Sequence, residues 1–289
     1  MELTNIKTIS ELMERHGVRF TKALGQNFLT NPSVCPRMAE LGGAAPGVCV
    51  LEIGPGVGVL TRELAARADK VMAVELDKGL LPILAETLAD YPNASVINED
   101  ILKLDLKALF EQEFAGREVI VCANLPYYIT SPVIMKLLEE RLPISKITVM
   151  VQKEAAQRLC APVPSRECGA ISVAARFYCE PGMLFPVSRG SFVPAPNVDS
   201  AVIRLDLHKT PPVDVICEQT LFKVIRGAFS QRRKTILNCL SSSMGFEKAK
   251  MSELLGAAGI AANSRAEQLS LEDFARIANA VKADRSQQE

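Results

Sequence analysis

The chain has 289 residues, 48% of them hydrophobic, enough to bury one large core or two ordinary ones. Its 33 basic and 33 acidic residues cancel, so net charge draws it to no partner, and charges break every apolar run short of the roughly 20 residues a membrane-spanning helix needs. The N-terminal MELTNIKTISELMERHG lacks the basic-then-apolar order of a secretory leader, so a cytoplasmic protein that makes no use of a membrane is expected.

ISELMERHG (9–17) is helical in pattern. From about residue 45 strands and helices alternate. VCVLEIG (48–54) is a strand ending in glycine, LTRELAARA (60–68) a helix, KVMAVELD (70–77) a strand and GLLPILAETLAD (79–90) a helix. ASVINED (94–100) and VIVCA (119–123) are the third and fourth strands. SPVIMKLLEE (131–140) is a helix with proline in its first turn, where the missing N–H has no partner to lose, and KITVMVQ (146–152) is a fifth strand. Such alternation predicts right-handed βαβ units, a mostly parallel sheet and helices on both faces. AISVAARFY (170–178) and SAVIRLDL (200–207) are expected to close the sheet edge as a strand pair. HKTPPVD (208–214) is a polar, proline-bearing linker, and four helical segments follow it; Ser270 and Asp273 form a capping box at the last. The expected organisation is an α/β domain over 1–208 and a small all-helical domain over 209–289.

Eight cysteines, at 35, 49, 122, 160, 168, 179, 217 and 239, show no C-x-x-C spacing, and the two histidines, His16 and His208, are far apart. Several of the cysteines lie in apolar runs, so buried thiols and no metal are expected. Charge is unevenly spread. No acid occurs between Glu218 and Glu247, where Lys223, Arg226, Arg232, Arg233 and Lys234 are basic. The stretch from Arg15 to Arg37 is also free of acids and carries Arg19 and Lys22. Two such stretches in a neutral protein suit either a solvated face or a polyanion.

EIGPGVG (52–58) ends the first main strand. Glycines 54, 56 and 58 let backbone approach a ligand before a helix N-terminus. Glu75 ends the next strand, 21 residues after Gly54, where a carboxylate can bind both hydroxyls of a ribose. Asp100 ends the third, in position for an adenine amino group. A dinucleotide fingerprint counted from Gly54 would need glycine at 59, where this chain has Val59. The pattern therefore favours a nucleoside without phosphate, such as S-adenosylmethionine, over a nicotinamide cofactor.

NLPYYIT (124–130) ends the fourth main strand. Asn and Pro make turns and Tyr covers core edges, so an ordinary strand-to-helix turn accounts for it. Beside a sulfonium donor it has a second meaning. The exocyclic amine of a base is a poor nucleophile because its lone pair is delocalised. Acceptors from the Asn124 side chain and the Leu125 carbonyl, fixed by Pro126, can pull that nitrogen towards tetrahedral geometry, and Tyr127 can stack on the ring. Tyr128 is expected to pack. In SFVPAP, Phe192 is either a cover over the core or a second stacking platform for an extruded base.

LGQNFLT (24–30), EIGPGVGVLT (52–61), VELD (74–77), NED (98–100), NLPYYIT, VQKE (151–154), SFVPAPNVDSAV (191–202) and AFSQRRKTILNCL (228–240) occur in that order. This ordered set, over about residues 20–280, resembles the ribosomal RNA adenine N6-dimethyltransferases of the small subunit. The resemblance implies a Rossmann-like S-adenosylmethionine-dependent methyltransferase fold with a helical C-terminal RNA-recognition domain. It implies dimethylation of two adjacent adenosines near the 3′ end of 16S ribosomal RNA during ribosome biogenesis, by a monomer acting on the small subunit. Asn27 and Leu29 would close over the donor, with Gly54 at its amino-acid end, Glu75 at its ribose and Asp100 at its adenine, and Gly56 also binding it. Asn124 would lie between donor and amine, with Phe192 and Tyr127 sandwiching the base, and Arg226, Arg232, Arg233 and Lys234 on RNA. Two other readings share these motifs: a large-subunit (23S) enzyme of the antibiotic-resistance type, against which the long C-terminal domain speaks, and a non-enzymatic RNA-binding assembly or transcription factor.

Overall fold

A computed structural model describes residues 1–18 and 26–286. Its strands are β1 (Phe28–Leu29), β2 (Val48–Ile53), β3 (Lys70–Glu75), β4 (Ala94–Asn98), β5 (Glu118–Asn124), β6 (Ile144–Gln152), β7 (Cys179–Val187), β8 (Phe192–Val193) and β9 (Ser200–Leu207). The helices are α1 (Ile6–Arg15), α2 (Val34–Gly42), α3 (Val59–Ala65), α4 (Leu81–Thr87), α5 (Leu106–Glu113), α6 (Thr130–Glu139), α7 (Lys153–Leu159), α8 (Ala170–Tyr178), α9 (Glu218–Ala228), α10 (Ile236–Met244), α11 (Lys248–Ala257) and α12 (Leu271–Ser286). By contact the chain divides into two compact units, 1–156 with 182–207, and 157–181 with 208–289. The second unit thus includes a segment that lies ahead of the expected boundary at 208.

In the first unit seven strands form one sheet in the order β4-β3-β2-β5-β6-β9-β7. β2, β3, β4, β5 and β6 are parallel, and β9 runs antiparallel to β6, with Thr148 opposite Arg204. All six residues of β2 are buried, as a strand covered on both faces requires. Val48 and Val50 pack with Met38 of α2 and Leu64 of α3. Leu51 and Ile53 alternate to the opposite face and are equally buried. α1 lays Ile9, Leu12 and Met13 on Ile83 and Leu84 of α4, and Leu3 joins this cluster.

The chain order explains where a ligand can enter. From β2 it steps outward to β3 and β4, then returns to the other side of β2 with β5. Such a switch leaves an open crevice between the loops that follow the two diverging strands. Those loops are EIGPGVG after β2 and NLPYYIT after β5.

Two edge elements differ from expectation. Residues 170–178 form α8, not a strand. Ser172, Val173, Ala174, Ala175, Phe177 and Tyr178 are all buried, too dense a pattern for an alternating strand. The edge strand is β7, whose Pro181 and Pro186 argue against a strand except at an edge, where N–H groups need no ladder partner. α5 was not apparent in the sequence; its N-cap is Asp105, which accepts from the Ala108 N–H at 3.1 Å.

In the second unit Phe177 and Tyr178 of α8 meet Phe222 of α9, with Tyr178 and Phe222 stacked at 5.4 Å. Phe274 of α12 packs near Phe229 at 6.0 Å. The capping box at α12 is formed: the Ser270 N–H donates to Asp273 Oδ2 at 2.9 Å and the Asp273 N–H to Ser270 Oγ at 3.2 Å.

Candidate active site

A cavity of about 360 Å³ opens at the C-terminal ends of β2, β3, β4 and β5. Asn27, Leu29, Gly54, Gly56, Glu75, Asp100, Asn124, Leu125, Pro126, Tyr127 and Phe192 all line it. These residues come from six separate stretches of chain, brought together by the switch in strand order.

Gly54 and Gly56 have φ of +70° and +60°, conformations costly for any residue with a Cβ. A Cβ on Gly54 would stand 3.9 Å from the Asn124 carbonyl oxygen and 4.0 Å from Pro126 Cδ, so the glycine loop lies directly against the NLP turn. Gly58 has a different task. Its φ is +90°, and a Cβ there would meet Thr87 Oγ1 at 3.1 Å and Leu88 Cδ2 at 3.3 Å. Gly58 serves the contact with α4 and does not line the cavity.

Glu75 is buried at the end of β3. The Asp77 N–H donates to its Oε1 at 2.8 Å. Burial pushes its carboxyl above the ordinary range, opposed by hydrogen bonds from the backbone of Asp77 and Gly56. Asp77 in turn accepts from Gln26 Nε2 at 2.7 Å, which fastens the N-terminal segment over this end of the cavity. Asp100 also caps its own turn, accepting from the Leu102 N–H at 3.0 Å.

β5 carries Asn124 to the opposite side. The Leu125 N–H donates to the Met150 carbonyl at 3.2 Å, and the Ile129 N–H to the Pro126 carbonyl at 3.2 Å, which closes a 3₁₀ turn over Tyr127–Ile129. Within it the Tyr127 hydroxyl lies 2.7 Å from Ser200 Oγ. Burial raises the pKa of that phenol, which is neutral at physiological pH. Tyr128 does not pack as expected. It is 56% exposed and lines the cavity, because successive side chains of a 3₁₀ turn point about 120° apart and only Tyr127 meets β9.

Phe192 is a core residue that also reaches the cavity. It is only 3% exposed and belongs to the core beside α2 and α3, yet its ring forms part of the cavity wall. β8 pairs with β1 so that Leu29 is opposite Phe192, and the Thr30 N–H donates to the Ser191 carbonyl at 2.8 Å. The N-terminal segment and the SFVPAP loop are thereby one small sheet at the mouth. Leu24 and Gly25 of LGQNFLT, with Arg19 and Lys22 of the first basic stretch, lie outside the described residues.

Glu52 was not singled out in the sequence. It is 1% exposed, lines the cavity beneath the glycine loop, and its Oε2 has no hydrogen-bond partner. Burial pushes its carboxyl up to about 8. The available signal was a carboxylate inside a strand otherwise built of Val, Cys, Leu and Ile.

In the second unit Lys223 and Arg226 of α9, and Arg232, Arg233 and Lys234, are exposed. The last three precede α10 in a turn rather than opening the helix, whose N-cap is Thr235. No ion pair engages any of the five among the described residues, whereas Lys250 is paired with Asp284 at 2.8 Å and Arg276 with Asp273. Most cysteines are buried and none is joined in a disulfide among the described residues, where no group of His, Cys, Asp and Glu could hold a metal ion either. No described helix is long and apolar enough to cross a membrane.

Residues 17–283 match the family model described as ribosomal RNA adenine dimethylase. The ribosomal RNA small subunit methyltransferase A of Alkaliphilus oremlandii is 45% identical over 278 residues, 96% of this chain and 97% of that protein. The protein of the same name from Bacillus mycoides is 47% identical, covering 94% of each. Among solved structures, the 23S rRNA methyltransferase ErmE superposes with a TM-score of 0.67 at 27% identity, over 89% of this chain and all of that one. A dimethyladenosine transferase from Plasmodium falciparum has a TM-score of 0.72 at 24% identity, over 86% of this chain and 95% of that one, and speaks for the fold.

Proposed function

Because the chain belongs to the ribosomal RNA adenine dimethylase family, S-adenosylmethionine-dependent enzymes, we propose that it places two methyl groups on N6 of each of two adjacent adenosines near the 3′ end of small-subunit (16S) ribosomal RNA, during ribosome biogenesis. The small-subunit assignment draws on relatives at 45% and 47% identity, whose names specify that subunit. The likeness to ErmE means that the helical second unit does not by itself separate the small-subunit from the large-subunit reading.

The observation that carries the chemistry is the juxtaposition of Gly54 and Asn124 across the switch point, with Glu75 and Asp100 on the same cavity. The cavity suits the donor's parts: carboxylates for ribose hydroxyls and an amino group, backbone without Cβ where the chain must come close, and apolar walls for the rest. When bound, the donor supplies an electrophilic sulfonium methyl. The protein's part is positioning. The Asn124 side-chain oxygen and the Leu125 carbonyl accept from the target amine and aim its lone pair, and Tyr127 and Phe192 hold the base. Ser200 fixes the Tyr127 ring from behind. The methylated amine is a cation acidic enough to lose its proton to water, so no general base is needed.

Mass spectrometry of ribosomal RNA from cells with and without the protein tests the reading. Dimethyladenosine at two neighbouring positions in the small-subunit 3′ region is expected only when the protein is present. A mark found instead on large-subunit RNA would replace this assignment with the antibiotic-resistance type.

Arg226, Arg232, Arg233 and Lys234 are the proposed RNA contacts of the second unit, where positive charge free of acids meets phosphate. Replacing Arg232, Arg233 and Lys234 together by alanine should weaken RNA binding and flatten its log–log salt dependence by about two to three units, since each phosphate contact contributes roughly 0.7–0.9. Donor affinity should be unaffected. An unchanged salt slope in filter binding would assign these residues to solvent.

A further inference from the structure

Tyr128 is used by nothing described above. It is the only aromatic among the large apolar side chains exposed in the described residues, and its phenol takes part in no hydrogen bond there. An exposed ring on a loose loop would mean little, but this one is held. The Ile129 N–H bond to Pro126 and the Tyr127 bond to Ser200 fix the backbone on either side of it. Its place on the cavity is also specific. Leu76 and Leu102, the other exposed apolar residues of the lining, follow β3 and β4, beside Glu75 and Asp100. Tyr128 follows β5, two strand spacings or roughly 10 Å across the sheet from β3. It stands on the side of Asn124, where the acceptor enters, and away from the carboxylates.

Extruding one base from a strand leaves its neighbour with an uncovered face. We propose that Tyr128 stacks on the nucleobase adjoining the one presented to Asn124, so that two successive aromatics of one rigid turn hold two successive nucleotides. This deepens the acceptor reading given above and rests on it. Tyr127 is tied back to Ser200 and serves the base in the cavity; Tyr128 serves the base at its rim.

Steady-state transfer to undermethylated small subunits, with calorimetric donor binding alongside, tests the assignment on the full chain. Tyr128→Ala should raise KM for the subunit about 5- to 150-fold, the range of one lost base–aromatic stack, with kcat changed less than about threefold and donor Kd less than about twofold. Tyr128→Phe should restore wild-type KM, and Tyr128→Leu, apolar but without a π-face, should not. Unchanged donor affinity also reports that each variant is folded. A Leu variant equal to wild type would overturn the stacking role. So would a loss of donor affinity matching the rise in KM, which would make Tyr128 a cover for the donor. If the wild-type protein transfers no methyl to adenine in the subunit, the acceptor reading falls and the Tyr128 assignment with it; normal transfer with an indifferent Tyr128→Ala removes the Tyr128 assignment alone.

Discussion

Replacing Asn124 by alanine is expected to slow methyl transfer by about 100- to 1,000-fold, the scale on which a single preorganised polar contact to a reacting group acts. The side chain is suited to such a test because it makes no hydrogen bond among the described residues and is only partly buried. Truncating it leaves no orphaned partner, and the backbone pairing of Asn124 with Met150 persists. Stability should therefore change by less than about 1 kcal/mol, and donor affinity only slightly. Asn124→Asp, which keeps an acceptor at the same place, should lose less than the alanine variant. Single-turnover rates with saturating donor and subunit measure the step directly. A variant that kept more than a tenth of the wild-type rate would show that the amine is not aimed by this amide.

The strands around this residue were legible because each is a mostly apolar run ended by glycine, carboxylate or amide, as a strand buried on both faces and open to solvent only at its ends requires. The residues lining the cavity could be gathered in advance for the same reason: strand ends in a doubly wound sheet converge. What the sequence concealed has local causes. Residues 170–178 carry β-branched and aromatic side chains in a short apolar run broken only by Ser172 and Arg176, and helix and strand cannot be told apart there from the sequence period. β7 was hidden by its two prolines, acceptable only because it sits at the edge. The fate of Gly58 and of Tyr128 depended on neighbours distant in sequence. Thr87 and Leu88 of the α4 region claim the first, and Ser200 takes Tyr127, leaving Tyr128 outside. Glu52 was overlooked because its strand reads as core, and its meaning comes from its burial with Oε2 left without a hydrogen-bond partner.

That burial has a consequence for stability. Glu52 faces Thr61 of α3, Cys35 of α2, Cys122 of β5 and Glu75 of β3, with no cation among the groups acting on it. Burial, with Glu75 adding like charge, raises its carboxyl to about 8, against hydrogen bonding from Thr61 that lowers it. The folded protein therefore holds a proton on Glu52 that the unfolded chain releases near the ordinary carboxylate value. Where the native state binds more protons, stability falls as pH rises. The contribution of neutral Glu52 is fully present below about pH 4.5 and is lost as pH climbs through about 8. Glu52→Gln keeps the shape and stays neutral throughout. It is expected to shift stability by a constant offset at low pH, then to gain on the wild type by an amount on the order of a few kcal/mol between roughly pH 5 and pH 9. Urea unfolding of both proteins across that range measures the difference directly, with all other titrations common to the two cancelling. Parallel curves would mean that Glu52 is ionised in the folded protein, which would require a cation or water beside its Oε2 beneath the glycine loop.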